Sequence, residues 1–227
     1  MKFLILLLMS TAALANDAVQ DPWEELNRST FSLNQTLDET IFEPVAISYK
    51  QNTPQTVQNR VSDFSSNIED IGTLGNELLQ FELFDGAKSF GRVLINSTIG
   101  LFGLFDVASN MGLEKTEEDF GQTLAVWGTP PGHYLVLPVL GPSTLRGAAG
   151  KAMDMTQNTA VSDRLNHAEN LAITGVTAVD ARVKLLPATD ILKNSDDAYI
   201  AARSAYLQKR QFDVYDGNVP MAEEDGF

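Results

Sequence analysis

The sequence predicts an all-α fold. Three observations carry that prediction. Apolar residues recur at helical spacing along several long segments, residues that cap helices stand ahead of those segments, and sustained period-two alternation is scarce. Neither an internal repeat nor a low-complexity segment interrupts the chain, so one helical domain over residues 16–217 is expected.

The elements follow in order. Trp23, Leu26, Leu33 and Leu37 mark a first amphipathic helix. Thr53 is placed to cap a long second helix, with Pro54 in its first turn, where a missing N–H costs nothing. On it Val57, Val61, Phe64, Ile68, Ile71 and Leu78 form one apolar stripe. Asp85 is placed to cap a third helix bearing Phe90 and Leu94. Ser162 is placed to cap a fourth, with Leu165, Ala168, Ala172, Val176, Val179, Val183 and Leu186 on one face and Pro187 at its end. Ser195 begins a fifth that carries Tyr199, Ala202 and Tyr206 on one side. Residues 218–227 are acidic, lack periodicity and are expected to be a flexible tail.

The first residues address the chain. Lys2 is a lone positive charge, Phe3 to Met9 is an uncharged apolar run, and Ala13-Leu14-Ala15 precedes Asn16. That order is a secretory signal peptide, expected to be cleaved after Ala15. The run is far shorter than the ~20 residues of a membrane-spanning helix. Removing residues 1–15 from 227 leaves 212, enough for one domain with a sizeable core. The net charge of −14, from 16 Lys+Arg against 30 Asp+Glu, argues against nucleic-acid binding and against a polybasic membrane patch. The chain has no cysteine, so no residue can carry the thioether lipid of a bacterial lipoprotein.

Two stretches stand apart from an ordinary soluble helical protein. Val93 to Phe105 (VLINSTIGLFGLF) holds no charge over 13 residues. As a helix it would reach ~20 Å, short of a ~30 Å hydrocarbon core. Phe120 to Leu145 has no Asp, Glu, Lys or Arg over 26 residues, and Pro130, Pro131, Pro138 and Pro142 forbid one continuous helix there. Two readings stand for both stretches: buried core, or partial immersion in a bilayer. Irregular backbone at membrane depth survives only where protein buries it or where it lines a wet cavity. An immersed Pro/Gly-broken stretch would therefore line a passage.

At this point the residues resemble the MlaA/VacJ family. Asp21-Pro22-Trp23-Glu24, Asn27-Arg28, Phe31, Asn34 and Leu37-Asp38 resemble the family's opening, and Pro44-Val45-Ala46 with Tyr49 continues it. Asn76 to Gln80, Arg92 with Asn96, Gly100 to Gly103 and Asp106-Val107-Ala108 also fit. The most specific piece is Phe120 to Gly128 (FGQTLAVWG), followed by Gly132, Tyr134, Leu137-Pro138, Gly141-Pro142-Ser143 and Arg146. Asp197, Tyr199, Arg203, Ala205 to Gln208, Arg210 and Phe212 complete a resemblance that runs from about Asp21 to Gly217.

The resemblance implies a ring-like helical bundle set in the inner part of the outer membrane, on its periplasmic side, with a channel through it. It implies removal of misplaced phospholipid from the outer leaflet and transfer to a soluble periplasmic carrier, in association with trimeric porins. Family members are commonly lipoproteins. This chain lacks the cysteine, which leaves retention to the fold and the porin. Leu101, Phe102, Leu104 and Phe105 are the candidates for an apolar rim inserted in the membrane, with helical core as the open alternative. Trp127, Pro130, Pro131, Gly132 and Tyr134 are candidates along the lipid path or at the membrane, Trp127 and Tyr134 being equally candidates for core.

Nothing in the chain spells out catalysis, and it is read as no enzyme. Only His133 and His167 could act as imidazoles, and neither has a second His or any Cys near it in sequence. His133 could meet a lipid phosphate or pair with backbone. H-E-x-x-H, G-x-S-x-G and G-x-x-x-x-G-K-[ST] are absent; Gly147 to Lys151 (GAAGK) lacks the required Ser or Thr, since Ala152 follows. No thiolate is available as nucleophile or zinc ligand, and no metal or cofactor is expected. Glu117-Glu118-Asp119 and Asp196-Asp197 read as helix-start charge or solvated surface. Three other functions compete with lipid transport: a structural accessory of a porin, a soluble periplasmic lipid binder, and a periplasmic hydrolase, against which the lack of any nucleophile–base motif weighs.

Overall fold

The structure, a computed structural model, describes residues 19–162 and 167–220, without the side chains of 157–162 and 167. The signal peptide, the expected cap at Ser162, Leu165, the His167 side chain and residues 221–227 of the tail lie outside what it describes. In chain order the elements are α1 (Glu24–Leu37), a π-helical turn (Asp38–Phe42), α2 (Glu43–Asn52), α3 (Gln55–Gln80), α4 (Leu83–Thr98), α5 (Val107–Asn110), α6 (Phe120–Val126), β1 (Tyr134–Leu137), β2 (Gly141–Thr144), α7 (Leu145–Ser162), α8 (His167–Lys193) and α9 (Ala198–Val214). The fold is mostly helical, as the periodicity predicts.

α1, the π turn and α2 form one rod, because Leu37 and Glu43 both keep right-handed helical angles. Pro44 supplies a reason for the wide turn. Its ring would strike the carbonyl four residues back, Thr40, in an ordinary α-helix, and the π turn moves that carbonyl aside. Thr53 precedes a proline and is extended, so it closes α2, and Pro54, not Thr53, stands at the cap position of α3. α3 ends at Phe81 in the left-handed region (φ 64°), with Glu82 N–H donating to Glu77 C=O at 2.9 Å. Asp85 lies inside the first turn of α4, paired with Lys88 at 2.6 Å, and does not cap it.

Further on, the structure adds one element and extends another. The uncharged stretch Phe120 to Leu145 holds a short antiparallel hairpin, with Tyr134 opposite Thr144 and Leu137 opposite Gly141. Strands of four residues are too short to show alternation. Pro187 does not end α8, which runs on to Lys193. α8 is also exposed along most of its described length; Asp180 is buried there, while Val176, expected on the inner stripe, is exposed. Ion pairs strap it to the rod: Arg182 grips Asp38 with two contacts of 2.6 Å, and Lys193 grips Glu43 at 2.7 and 2.9 Å. α9 begins two residues after Asp196, capped by Asp197, whose carboxylate accepts the Tyr199 and Ile200 N–H groups.

A small apolar core forms where β1, α1 and α9 meet, from Tyr134, Val136 and Tyr199 with Val19, Phe31, Tyr206 and Leu207 packed around them. α1 holds the free edge of β1 with two asparagines two turns apart. Asn27 donates to Tyr134 C=O (3.2 Å) and accepts from Val136 N–H (2.8 Å). Asn34 donates to Leu137 C=O (2.8 Å) and accepts from Val139 N–H (2.7 Å). Each amide thus satisfies a carbonyl and the N–H two residues on, as a neighbouring strand would. Gly121 and Gly150 bring α6 against α7: a Cβ on Gly150 would lie 2.4 Å from Gly121 N. The GAAGK run is therefore a helix-packing surface, not a phosphate loop.

Candidate functional site: an apolar belt around a polar interior

α3 and α4 are folded inside out. On α3 the buried residues are Gln58, Asn67, Asp70, Thr73, Asn76, Glu77 and Gln80, while Val57, Ile71 and Leu78 of the apolar stripe are exposed. On α4 the buried residues are Gly86, Ser89, Arg92 and Asn96, while Leu83, Phe84, Phe90 and Leu94 are exposed. Among the described residues, sixteen polar or charged side chains are buried against six apolar ones. Water normally enforces the opposite arrangement. An apolar stripe turned outward is stable only against another apolar medium or partner.

The interior is stabilised by pairing. Arg92 is buried with Asp70 (Nε to Oδ2, 3.0 Å) and donates to Ser109 Oγ (2.9 Å) and the Leu113 carbonyl (2.7 Å), with Asp106 at 3.4 Å. Burial raises the Asp70 carboxyl above its usual range, against the pull of Arg92. Burial also acts to raise Asp106, but hydrogen bonds from Ser109 and Asn96 and the Arg92 charge outweigh it, so that group falls below the usual range. Asn96 links Asp106 (3.0 Å) to Ala108 N–H (2.9 Å). Further along, Glu77 accepts from Ser89 (3.0 Å) and Thr116 (2.5 Å), and Thr123 donates to Asn76 (2.9 Å). Glu118 accepts from Gln80 (2.7 Å); burial pushes its carboxyl up to about 8.

The turn after α4 carries four of the candidate residues, and all are exposed: Leu101 (56%), Phe102 (80%), Leu104 (42%) and Phe105 (44%). They do not fill the helical core. Leu101 and Phe102 both have left-handed backbone (φ 52° and 61°), which costs a non-glycine residue roughly 1–2 kcal/mol. Gly103 makes the turn possible: at φ 87° a Cβ there would sit 2.6 Å from the Asn67 amide. Arg60 on α3 fixes the turn's far side, donating to Leu104 C=O at 2.8 Å with its guanidinium 4.2 Å from the Phe105 ring centre.

The remaining candidates lie elsewhere. Trp127 is exposed and donates from Nε1 to Leu79 C=O at 3.1 Å. Arg60 and Leu79, which hold the two groups, are 19 positions apart on α3, about 28 Å of helix. Pro130 and Gly132 are exposed and Pro131 is half-buried in a surface loop held by Arg146, whose N–H donates to Pro131 C=O and whose side chain donates to Thr129 C=O. Of the two readings open for Tyr134, lipid path or membrane on one side and core on the other, its place is the core: it is fully buried among Tyr199 and Tyr206 and leaves no face for lipid. His133 is half-buried, its ring edge-on to Trp23 at 5.3 Å. Asp119 caps α6 and pairs with Arg210, and Asp197 pairs with Arg28. Both acidic clusters therefore carry structural charge. The sequence reading singled out neither Asp70 nor Ser89, and it quoted Glu77, Arg92 and Asn96 only for the resemblance, without a role. Their spacing on α3 and on α4 was visible, but not that these faces point inward.

No described helix is long and apolar enough to cross a membrane. The chain matches the model of the MlaA lipoprotein family over residues 19–213. It is 40% identical over 200 residues to an uncharacterized protein of Rickettsia prowazekii (strain Madrid E), covering 86% of this chain and 78% of that one. It is 32% identical over 207 residues to the intermembrane phospholipid transport system lipoprotein MlaA of Escherichia coli (strain K12), covering 89% and 82%. A solved structure described as "Structural basis for maintenance of bacterial outer membrane lipid asymmetry" superposes with a TM-score of 0.72 at 32% identity, over 86% of this chain and 99% of that one. A family match across nearly all the described residues, supported by sequence and by fold, leaves one conclusion: the chain belongs to the MlaA lipoprotein family.

Proposed function

We propose that this protein is an outer-membrane component of intermembrane phospholipid transport, which withdraws phospholipid misplaced in the outer leaflet and passes it to a soluble periplasmic carrier. The observation that carries the reading is the outward apolar face of α3, α4 and the turn that follows, in a chain whose named relatives are phospholipid transport lipoproteins. A bilayer interior is the medium that makes such a face stable, and the paired polar groups behind it suit a protein that offers lipid a polar route through an apolar surround. The exposed residues Leu101, Phe102, Leu104 and Phe105 form the inserted rim, with Trp127 at the other end of α3. None of the 227 residues is a cysteine, so this rim and a trimeric porin, rather than an acylated cysteine, hold the protein at the periplasmic side of the outer membrane after signal-peptide cleavage.

The test is a clean chromosomal deletion, assayed for outer-leaflet phospholipid and for sensitivity to detergent and chelator. Surface phospholipid is expected to rise and a plasmid copy to restore it. Unchanged outer-leaflet phospholipid under chelator stress, with no paralogue present, overturns the transport reading.

A further inference from the structure

We propose that Arg60 is a contact for the phosphate of a phospholipid headgroup at the margin of the inserted turn. The proposal rests on the immersion of that turn argued above and adds a specific lipid group to it.

The observations are local. Arg60 projects from α3 beside the exposed apolar turn after α4, whose Leu101 and Phe102 point no side chain into the core. Its guanidinium lies over the Phe105 ring at 4.2 Å and binds the Leu104 carbonyl at 2.8 Å, so the cation is fixed to the apolar tip itself. Asp63, one turn along, holds the other terminal nitrogen at 3.1 Å. Those two contacts engage two of the five N–H groups that a guanidinium carries, and its side chain keeps about a third of its surface exposed. A planar fork with unused donors, set where an apolar wedge meets solvent, suits a phosphate oxygen at the level where acyl chains end.

Charge makes the position matter. With a net charge of −14 the chain as a whole gains nothing from an anionic surface, so attraction to phosphate has to be built at a point. Lys88, the other cation set on an exposed ring of the belt, lies 5.4 Å from Phe84 and is held by Asp85 at 2.6 Å. Arg60 is the better placed of the two.

The experiment measures partition of the purified full chain, diluted from detergent, onto two kinds of vesicle. One is phosphatidylcholine; the other is an uncharged galactolipid of matched chain length that has no phosphate. The wild type is expected to bind phosphatidylcholine about five-fold more tightly, the net worth of one hydrogen bond to a phosphate oxygen. Arg60→Gln should remove that preference, and Arg60→Lys should retain part of it through its charge. Equal wild-type binding to both vesicles overturns the phosphate contact and leaves the apolar rim standing. So does an Arg60→Gln loss of equal size on both vesicles. Wild type that binds neither vesicle overturns the rim and the phosphate contact together. Equal wild-type binding overturns the contact even if loss of the Leu104 contact makes Arg60→Gln unstable, and an undiminished preference in Arg60→Lys overturns the part played by the guanidinium fork.

Discussion

Replacing Leu101 and Phe102 together with asparagine separates membrane contact from folding. The exposed parts of these two side chains, 56% and 80%, amount to more than one complete apolar side chain. At about 1.5–3 kcal/mol for each side chain fully transferred from water, their withdrawal costs the membrane-bound state about 2–4 kcal/mol. That is roughly 30- to 1000-fold in partition. Folding should respond differently. Both residues sit in left-handed backbone, which asparagine tolerates better than leucine or phenylalanine, so stability should hold or rise by about 1 kcal/mol. Vesicle flotation measures the first effect and a thermal melt the second. A variant that melts many degrees lower while still floating with vesicles refutes the reasoning, because it places these side chains in packing rather than in lipid.

Three other perturbations probe the frame that presents the belt. Arg92→Met should destabilise by roughly 3–5 kcal/mol, since it strands Asp70 unpaired in the interior; adding Asp70→Asn should recover part of the loss in a melt of the double variant. Asn27→Ala should speed hydrogen exchange at the Val136 amide and Asn34→Ala at the Val139 amide, each leaving the other protected, if the two side chains hold β1 separately. Glu118 has a folded-state carboxyl raised by burial to about 8, so the folded state binds its proton more tightly than the unfolded one. The stability this gives is fully present below about pH 4.5 and is lost as pH rises through 8. Glu118→Gln should therefore melt a few degrees higher than wild type at pH 8 and close to it at pH 4.5; equal differences at both pH values would contradict the assignment.

The sequence carried the helices well, because long segments repeat every 3.6 residues and short caps stand near their ends. It placed some boundaries one to three residues out. Thr53, Asp85 and Ser195 all have capping side chains, but Pro54, Glu82 and Asp197 hold the cap positions. Its larger silence concerns direction. Periodicity shows that Val57, Ile71 and Leu78 share one face and Asp70, Glu77 and Gln80 another, yet the same pattern describes a water-facing helix and its inverse. The inversion follows from partners far apart in the chain, such as Arg92 with Asp70 and Asp106. The hairpin was illegible for a related reason: the groups that complete its edge are the side chains of Asn27 and Asn34, more than a hundred residues away. Pro187 misled because α8 tolerates it in an exposed helix fastened by ion pairs instead of by a buried face.

The inversion of α4 can be read directly, because a chain without cysteine accepts single reporter sites. Cysteines placed one at a time at Phe90 and Leu94, and at Ser89 as the inward control, would be labelled with a fluorophore in protein reconstituted with lipids that carry a quencher on their acyl chains. The labels at positions 90 and 94 are expected to be quenched strongly and the label at 89 weakly. Quenching at 89 that equals or exceeds that at 90 and 94, or labels at 90 and 94 that respond only to a water-soluble quencher, would contradict an apolar belt facing lipid.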